Sequence, residues 1–278
     1  MPLARAKVNL WLNVVGRRAD GFHLLDTLVA FTDLADEIEV APASTVSLRV
    51  VGPEAPALEG DSDNLVLKAA RLLAGRAGLA PRAAFRLTKH IPVAAGLGGG
   101  SADAAATLLA LIDLWRVAMP EEELFDLAAT LGADVPMCLA GRPALATGIG
   151  ERLAPVPALP ACAILLVNPR VALPTPAVFG ARRGDFSRAR PLAGGWRDLD
   201  DLAHDLGRRG NDLTEAAISL RPEVGVVLDH LRHSGGAAHV AMSGSGATCF
   251  ALYGSIAEAD RAASLLPASW WRHAGRLA

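Results

Sequence analysis

The stretch that decides the fold reads Pro92-Val93-Ala94-Ala95-Gly96-Leu97-Gly98-Gly99-Gly100-Ser101-Ala102, and a segment rich in alanine and leucine follows it. Four glycines in five positions permit a positive φ and let a ligand approach the main chain closely. The segment after them predicts a helix from Ser101 to about Trp115. Its first turn would supply unpaired N–H groups and the positive end of the helix dipole. Loop and helix together predict an anion site suited to phosphate.

This glycine loop matches neither of the two common nucleotide-binding fingerprints. A Walker A motif ends in Gly-Lys-Ser/Thr, and the loop contains no lysine. A dinucleotide fingerprint beginning at Gly96 would need glycine where Ser101 stands. The alternative is a tight strand-to-helix turn without a ligand. Such a turn rarely needs four glycines, because each of them adds to the entropy that folding must overcome.

Strands and helices are mixed in both halves of the chain. Lys7, Asn9 and Asn13 are spaced as on one face of a strand, predicted over residues 4–15. Further strands are predicted over residues 27–31, 37–40, 46–50, 84–88, 164–167, 240–242 and 248–252 and around Ala144 and Leu153. Helices are predicted over residues 64–75 (with Asp63 as the N-cap), 101–115, 120–131, 199–206, 212–220 and 224–233, and residues 169–197 are predicted to be irregular. The absence of regular βαβ alternation predicts an α+β fold.

Composition narrows the class of protein further. Of the 278 residues, 51% are hydrophobic and 20% are charged, which is typical of a globular protein. The net charge of −2 argues against a nucleic-acid binder. The longest uncharged stretch, residues 153–169, is interrupted by proline, so we expect no membrane partner. Cys138, Cys162 and Cys249 have neither metal nor redox spacing, which predicts buried, reduced thiols in a cytoplasmic protein.

A resemblance to a known family rests on several motifs in a fixed order. The glycine loop resembles the ATP-binding motif of the galactokinase, homoserine kinase, mevalonate kinase and phosphomevalonate kinase (GHMP) superfamily. Ala-Lys-Val-Asn-Leu at residues 6–10 and Arg-Ala-Asp-Gly-Phe-His at residues 18–23 narrow it to the diphosphocytidyl-methylerythritol kinase branch. Further motifs continue the resemblance at residues 131–136, 148–151, 211–213 and 242–247. It covers about residues 4 to 252.

The resemblance implies a two-domain α+β architecture with the active site in the cleft between the domains. We place the N-terminal ATP-binding domain at residues 1–154 and the C-terminal domain at residues 155–278. The implied activity is a cytoplasmic, ATP-dependent kinase that phosphorylates the 2-hydroxyl of 4-diphosphocytidyl-2-C-methyl-D-erythritol in the non-mevalonate isoprenoid route. ATP and Mg²⁺ are the implied cofactors. The expected partners are small molecules (ATP and a cytidine diphosphate-linked polyol), without nucleic acid or membrane, and the expected state is a monomer or weak homodimer.

Two alternatives stay open. Another superfamily member, such as a homoserine or mevalonate kinase, would share the fold, although the Asp-Gly-Phe-His segment does not suit it. A non-catalytic nucleotide sensor would keep the fold but lose its base or its ammonium group, and this chain has both Asp134 and Lys7.

The residues expected to carry the chemistry are an aspartate and a lysine. Phosphoryl transfer needs a group that accepts a proton and positive charge near the moving phosphoryl group. Asp134 lies in Gly-Ala-Asp-Val-Pro, where we expect Pro136 to block immediate regrowth of a helix. The resemblance makes Asp134 the general base, and a helix cap is the alternative role. It places Lys7, one of only three lysines among 27 basic residues, near Asp134 and the acceptor hydroxyl.

The resemblance also assigns the two binding sites. It assigns ATP to Pro92, Val93, Ala94, Ala95, Gly96, Leu97, Gly98, Gly99, Gly100, Ser101 and Ala102, with Asn64, Leu65 and Lys89 at the adenine end. The family often has glycine at positions 94 and 95 and a second serine at 102, so Ser101 is the candidate Mg²⁺ contact here. Cytosine is expected between Phe22 and Phe179, with His23 reading its edge and Asn9 on the same substrate. Phe22 replaces the usual tyrosine.

Overall fold

A computed structural model describes residues 3–60, 63–192 and 194–277 of the chain. The chain forms two compact units that interleave along the sequence. Unit 1 consists of Met1–Lys7, Leu34–Val93 and Gly98–Gly141, and unit 2 consists of Val8–Asp33, Ala94–Leu97 and Arg142–Ala278. A domain boundary between residues 154 and 155 stays a prediction.

The described residues contain ten strands and nine α-helices. The strands are β1 (Leu3–Arg17), β2 (His23–Pro42), β3 (Ser47–Val51), β4 (Ala83–Thr88), β5 (Ala144–Gly148), β6 (Arg152–Pro155), β7 (Ala163–Asn168), β8 (His239–Met242), β9 (Cys249–Tyr253) and β10 (Trp271–Arg276). The helices are α1 (Leu65–Ala77), α2 (Gly99–Trp115), α3 (Glu121–Leu131), α4 (Val135–Ala140), α5 (Thr175–Ala181), α6 (Leu199–Arg209), α7 (Thr214–Leu220), α8 (Glu223–His233) and α9 (Ile256–Ser264), and Ala55–Leu58 forms a short 3₁₀ turn.

Unit 1 packs helices α1 and α2 around a core that includes strand β4. The end of β2 pairs antiparallel with β4, from Glu37 opposite Thr88 onward, and β3 pairs parallel with β4. Helix α1 buries Val66, Ala69 and Leu73, which are spaced i, i+3 and i+7 on one face. Burying Leu73 alone stabilises the fold by about 1.5–3 kcal/mol.

Unit 2 is built on an antiparallel sheet in the order β10-β7-β9-β8. Strand β7 is buried along its whole length, which matches its uninterrupted apolar sequence. Helix α8 packs Val224, Leu228 and Leu231 into the same core. The first part of β2 pairs with β5, and β5 pairs with β6. Mixed helices and strands in both units confirm the predicted α+β class.

Several local expectations are wrong, each for an identifiable reason. Asn64, not Asp63, is the N-cap of α1, because its side chain accepts a hydrogen bond from the Val66 N–H at 3.0 Å. Pro136 does not prevent a helix. It lies in the first turn of α4, where a missing N–H costs nothing because first-turn N–H groups have no intrahelical partner.

Other differences concern whole elements. Residues 27–31 and 37–40 belong to the single strand β2, whose central polar residues Thr32 and Asp36 are fully buried. The stretch predicted to be irregular, residues 169–197, contains helix α5. The expectations did not include α9 or β10. Short elements of this kind are stabilised by tertiary packing, which propensity does not report.

Candidate active site

Lys7 and Asp134 form an ion pair in unit 1. The Lys7 Nζ lies 3.3 Å from Asp134 Oδ2, with the lysine side chain 7% exposed and the aspartate side chain 40% exposed. Asp134 precedes α4 at the N-cap position but makes no side-chain cap bond. The alternative role of a helix cap therefore finds no support, and the carboxylate faces an ammonium group where a substrate can reach it. A partly buried pair of this kind interacts more strongly than one in bulk water.

The glycine loop meets this pair at Gly98. Gly98 has a φ of 66°, in the left-handed region, and a Cβ there would lie 2.7 Å from Lys7 Cγ. Only glycine fits, because the lysine stem lies directly against the loop. Gly98 is the N-cap of α2, and because glycine has no side chain it cannot cap the helix with a side-chain bond. The N–H groups of the first turn are therefore left for an anion. Ser101 lies inside the first turn and does not cap the helix.

The residues just before Gly98 are held by a second turn, residues 243–246, within unit 2. A Cβ at Gly96 would lie 2.7 Å from the Gly246 oxygen and 2.9 Å from the Ser243 oxygen. The Ser243 hydroxyl donates to the Gly96 oxygen at 3.2 Å, and the Thr248 N–H donates to the Ala95 oxygen at 3.3 Å. The 243–246 turn thus fixes the backbone path of residues 95–96.

Asn211 clamps the 243–246 turn. Its Nδ2 donates to the Met242 and Gly244 oxygens, each at 2.8 Å, and its Oδ1 accepts from the Leu213 N–H at 2.9 Å. The Ser243 hydroxyl in turn accepts from the Asn9 N–H at 3.2 Å. The Met242 and Gly244 oxygens lie 31 and 33 residues from Asn211, so the motif at residues 211–213 does not by itself indicate this role.

The three residues predicted at the adenine end lie in unit 1. Asn64 caps α1, and Leu65 Cδ1 would be 3.4 Å from a Cβ on Gly100, so α1 begins beside the loop. Lys89 is buried, and its ammonium contacts both Asp36 and Asp103. Its predicted contact with ATP stays a prediction.

Burial and charge act in opposite directions on the pKa values of this cluster. Burial disfavours the charge on Lys89, yet Asp103 and Asp36 together raise its pKa. Burial raises the pKa of Asp103 to about 7, against the opposing pull of Lys89. Neither aspartate is among the site residues predicted from the sequence. Asp103 follows Gly99 by one helical turn and comes directly after the glycine loop, a spacing that could have revealed it.

The predicted substrate residues lie in unit 2. The turn that begins at Arg18 presents Phe22 with 59% of its surface exposed. The His23 ring stacks on Phe179, with centroids 5.0 Å apart and planes 23° apart. Burial lowers the pKa of His23, and the positive charges of Arg17 and Arg182 lower it further. Asn9 is 3% exposed and donates from Nδ2 to the Thr27 hydroxyl at 2.8 Å.

Three further findings bear on function. No cluster of three or more His, Cys, Asp or Glu side chains suited to a metal ion occurs among the described residues. None of the helices in the described ranges is long and apolar enough to span a bilayer. The three cysteines are free. Cys162 and Cys249 are buried, whereas Cys138 is only partly buried, contrary to expectation.

Comparison with known proteins identifies the family of this chain. The chain matches the GHMP kinases N terminal domain over residues 64–142 and the GHMP kinases C terminal domain over residues 189–270. It is 54% identical to the 4-diphosphocytidyl-2-C-methyl-D-erythritol kinase of Paramagnetospirillum magneticum, over 96% of this chain and 95% of the relative. It is 50% identical to the kinase of the same name from Rhodospirillum rubrum, over 99% and 91%.

Solved structures indicate the same family and fold. A crystal structure of 4-(cytidine 5'-diphospho)-2C-methyl-D-erythritol kinase superposes with a TM-score of 0.83 at 41% identity, covering 99% of this chain and 98% of that one. The homoserine kinase of Cytophaga hutchinsonii superposes with a TM-score of 0.69 at 18% identity, covering 99% and 95%, which shows a shared fold. The chain therefore belongs to the 4-diphosphocytidyl-2-C-methyl-D-erythritol kinase family of the GHMP kinases and is an ATP-dependent small-molecule kinase.

Proposed function

We propose that this enzyme transfers the γ-phosphoryl group of ATP to the 2-hydroxyl of 4-diphosphocytidyl-2-C-methyl-D-erythritol. One observation carries the proposal: the Lys7–Asp134 pair adjoins the glycine loop, with the Lys7 stem against Gly98. Phosphoryl transfer to an alcohol requires a base and a positive charge beside the phosphate site, and Asp134 and Lys7 provide them in this proposal. The names of the relatives supply the identity of the acceptor.

Asp134 is the general base in this mechanism. It accepts the proton of the 2-hydroxyl as the hydroxyl oxygen attacks the γ-phosphorus. The bond from the γ-phosphorus to its bridging oxygen breaks, and ADP leaves with that oxygen. The Lys7 ammonium, 3.3 Å from Asp134, balances negative charge on the base and on the transferred group. Its burial strengthens this effect, because water screens it poorly.

The glycine loop fits the phosphates of ATP. Gly98 leaves open the space that a Cβ would fill beside Lys7, and the first turn of α2 offers its N–H groups. Asn64 and Leu65, at the start of α1 beside Gly100, belong to the adenine end of the proposal.

We propose that ATP binds together with Mg²⁺. In proteins Mg²⁺ keeps several waters and takes few protein ligands besides the phosphates of its substrate. The Ser101 hydroxyl, in the first turn of α2, is the protein oxygen that would hold it. When bound, Mg²⁺ neutralises charge on the phosphate groups.

In this proposal the cytidine end of the substrate is bound by Phe22, His23, Phe179 and Asn9. The exposed Phe22 ring offers a stacking face, and Phe179 holds the His23 ring by stacking on it. A neutral imidazole can donate and accept at once, which suits the edge of cytosine. A cytosine sandwiched between Phe22 and Phe179 is the form we propose for the complex.

The remaining expectations are also part of this proposal. The three free cysteines favour a reducing, cytoplasmic setting. We expect a monomer or weak homodimer, which sedimentation at several concentrations measures directly.

A coupled assay of ADP release tests the proposed reaction. The purified protein is given ATP, Mg²⁺ and one acceptor: the cytidine compound, its uridine analogue, homoserine or mevalonate. We expect ADP release with the cytidine compound and a new phosphomonoester at its 2-position in phosphorus NMR. Release with homoserine or mevalonate instead would assign a different acceptor. ATP binding without turnover on any acceptor would indicate a nucleotide sensor.

Lys7→Arg tests the role of the ammonium. A planar guanidinium does not replace a compact charge, so we expect kcat to fall while the protein still binds the cytidine compound. Arg5→Lys, an exposed change two residues earlier on β1, is the matched control. Normal turnover by Lys7→Arg would remove Lys7 from the mechanism.

A further inference from the structure

A buried charge cluster of Asp36, Lys89 and Asp103 lies in unit 1, and no step of the proposed reaction uses it. The three side chains are 0%, 2% and 4% exposed. The Lys89 ammonium lies 2.7 Å from Asp103 Oδ2 and in close contact with Asp36 Oδ2. Buried ions stabilise a fold only weakly, because their loss of hydration offsets their attraction. Stability alone therefore gives little reason for this cluster, and what it holds in place matters more.

Each member of the cluster anchors a different segment. Asp36 belongs to β2, and its Oδ1 accepts from the His90 N–H at 2.6 Å and the Ile91 N–H at 2.9 Å, on the segment that leads into the glycine loop. Lys89 is fixed through its own N–H, which donates to the Val51 oxygen at 2.8 Å. Asp103 belongs to α2. The cluster thus ties the sheet of unit 1 to that helix.

The cluster lies directly against the glycine loop. A Cβ on Gly99 would lie 3.0 Å from Lys89 Nζ and 3.0 Å from Ile91 Cγ2. Asp103 follows Gly99 by four residues, so its side chain lies over the same first turn of α2. The buried Asp103 Oδ1 has no hydrogen-bond partner within the described ranges, and Oδ2 of the same carboxyl group accepts from the Lys89 ammonium at 2.7 Å.

We infer that Asp36, Lys89 and Asp103 are positioning residues for ATP, which fix the first turn of α2 so that its N–H groups meet the phosphates. The inference rests on the proposed role of the glycine loop. The cluster sets two carboxyl groups against one ammonium, so it has no net positive charge that would attract a phosphate. The cluster therefore favours ATP binding by fixing the position of the helical turn at Gly99, and not by its charge.

Asp103→Ala separates geometry from charge. Removing a carboxylate near an anion site favours ATP electrostatically, and it frees the Lys89 ammonium for any direct contact with ATP. Loss of the positioning contact should instead weaken the binding of ATP. We expect the Kd of a non-hydrolysable ATP analogue to rise about tenfold, as the loss of a charged hydrogen bond that orders a binding loop predicts. The KM of the acceptor should stay unchanged. Alanine favours helices, so α2 should still form.

Two further variants sharpen the result. Asp103→Asn removes the same charge but keeps an oxygen for Lys89, so its ATP affinity should lie closer to that of the unchanged enzyme. Asp113→Ala removes an exposed carboxylate from the same helix and should leave ATP affinity as it is. Equal affinities of the Ala and Asn variants at residue 103, or tighter binding by Asp103→Ala, would overturn the inference.

Hydrogen exchange and a loop variant complete the test. The amides of residues 98–102 should exchange faster in Asp103→Ala than in Asp113→Ala, and equal rates would also overturn the inference. Gly99→Val tests the underlying assignment. If folded Gly99→Val binds the analogue normally, the loop is not the phosphate site. If it loses binding while Asp103→Ala keeps it, the loop assignment stands and the positioning role of the cluster fails.

Discussion

The stem of Lys7 lies so close to Gly98 that a Cβ on residue 98 would be 2.7 Å from Lys7 Cγ. This contact joins the ammonium that faces Asp134 to the loop at the start of α2. A change at either residue therefore affects the other.

Gly98→Ala should disable the enzyme. An alanine must adopt a φ of 66°, which costs about 1–2 kcal/mol, and its methyl must displace the Lys7 stem. We expect kcat/KM for ATP to fall about 100-fold, since small displacements at a reacting centre have effects of that size. Gly75→Ala in α1 is the control, because its Cβ would meet open space. Steady-state kinetics of both variants provide the measurement, and equal activities would contradict the contact.

Asp134→Asn should slow turnover without weakening binding. The amide is nearly isosteric with the carboxylate but cannot accept the proton of the acceptor hydroxyl. We expect kcat to fall by roughly 100-fold or more, with both KM values little changed. Asp126→Asn, on the exposed face of α3, is the matched control. Turnover within a few-fold of the unchanged enzyme would exclude Asp134 as the base.

His23 should make recognition of the cytidine substrate depend on pH. Burial, Arg17 and Arg182 lower the pKa of His23 below 6.5, so the ring is neutral at pH 7. As pH falls through this lowered pKa, protonation removes the acceptor nitrogen. We expect the KM of the cytidine compound to rise there, while the KM of ATP follows a different profile.

His23→Ala should abolish that part of the pH profile and reduce the preference for cytosine over uracil. The companion variant Phe179→Ala removes the ring that holds His23. It should lower kcat/KM roughly ten- to a hundred-fold, by analogy with base–aromatic stacking. An unchanged cytidine-to-uridine ratio in both variants would mean that these residues only pack the fold.

Asn211→Asp should destabilise the 243–246 turn. The carboxylate cannot donate to the Met242 and Gly244 oxygens, and its charge opposes them. We expect a loss of about 2 kcal/mol or more in the free energy of unfolding, measured by urea titration. Asn168→Asp is the matched control. The Asn168 Nδ2 donates to the Thr248 hydroxyl, which can rotate to donate instead, and its Oδ1 accepts from the Arg170 N–H, as a carboxylate also would, so the cost there should be smaller.

Protonation of His239 should make the folded protein less stable in acid than at neutral pH. Burial lowers its pKa from 6.5 to about 4, so the unfolded chain takes up this proton first as pH falls. The folded state therefore has its full stability above pH 6.5 and loses up to about 3 kcal/mol between pH 6.5 and 4. Substituting the ring should reduce this loss. Urea titrations of His239→Leu at pH 7 and 4.5, with the exposed His204→Leu as control, measure it, and the same acid loss in both variants would contradict the assignment.

The sequence by itself determined the parts whose signal is local. Glycines before an apolar helical segment predicted the loop and α2, because backbone freedom and helical periodicity are properties of neighbouring residues. The Asp-Gly-Phe-His segment and the ordered motifs predicted the family. They also predicted the pairing of Lys7 with Asp134, which the structure brings within 3.3 Å.

Only the tertiary structure decided which distant residues support that loop. Asp36 is 53 residues from Lys89, and Asn211 is 33 residues from Gly244, so no local pattern links either pair. Asp36 lies in the middle of β2, where a polar residue suggests an interruption of the strand. It is buried there because Lys89 and two backbone N–H groups satisfy it. Whether a buried charge is tolerable depends on its partners, and the partners become neighbours only when the chain folds.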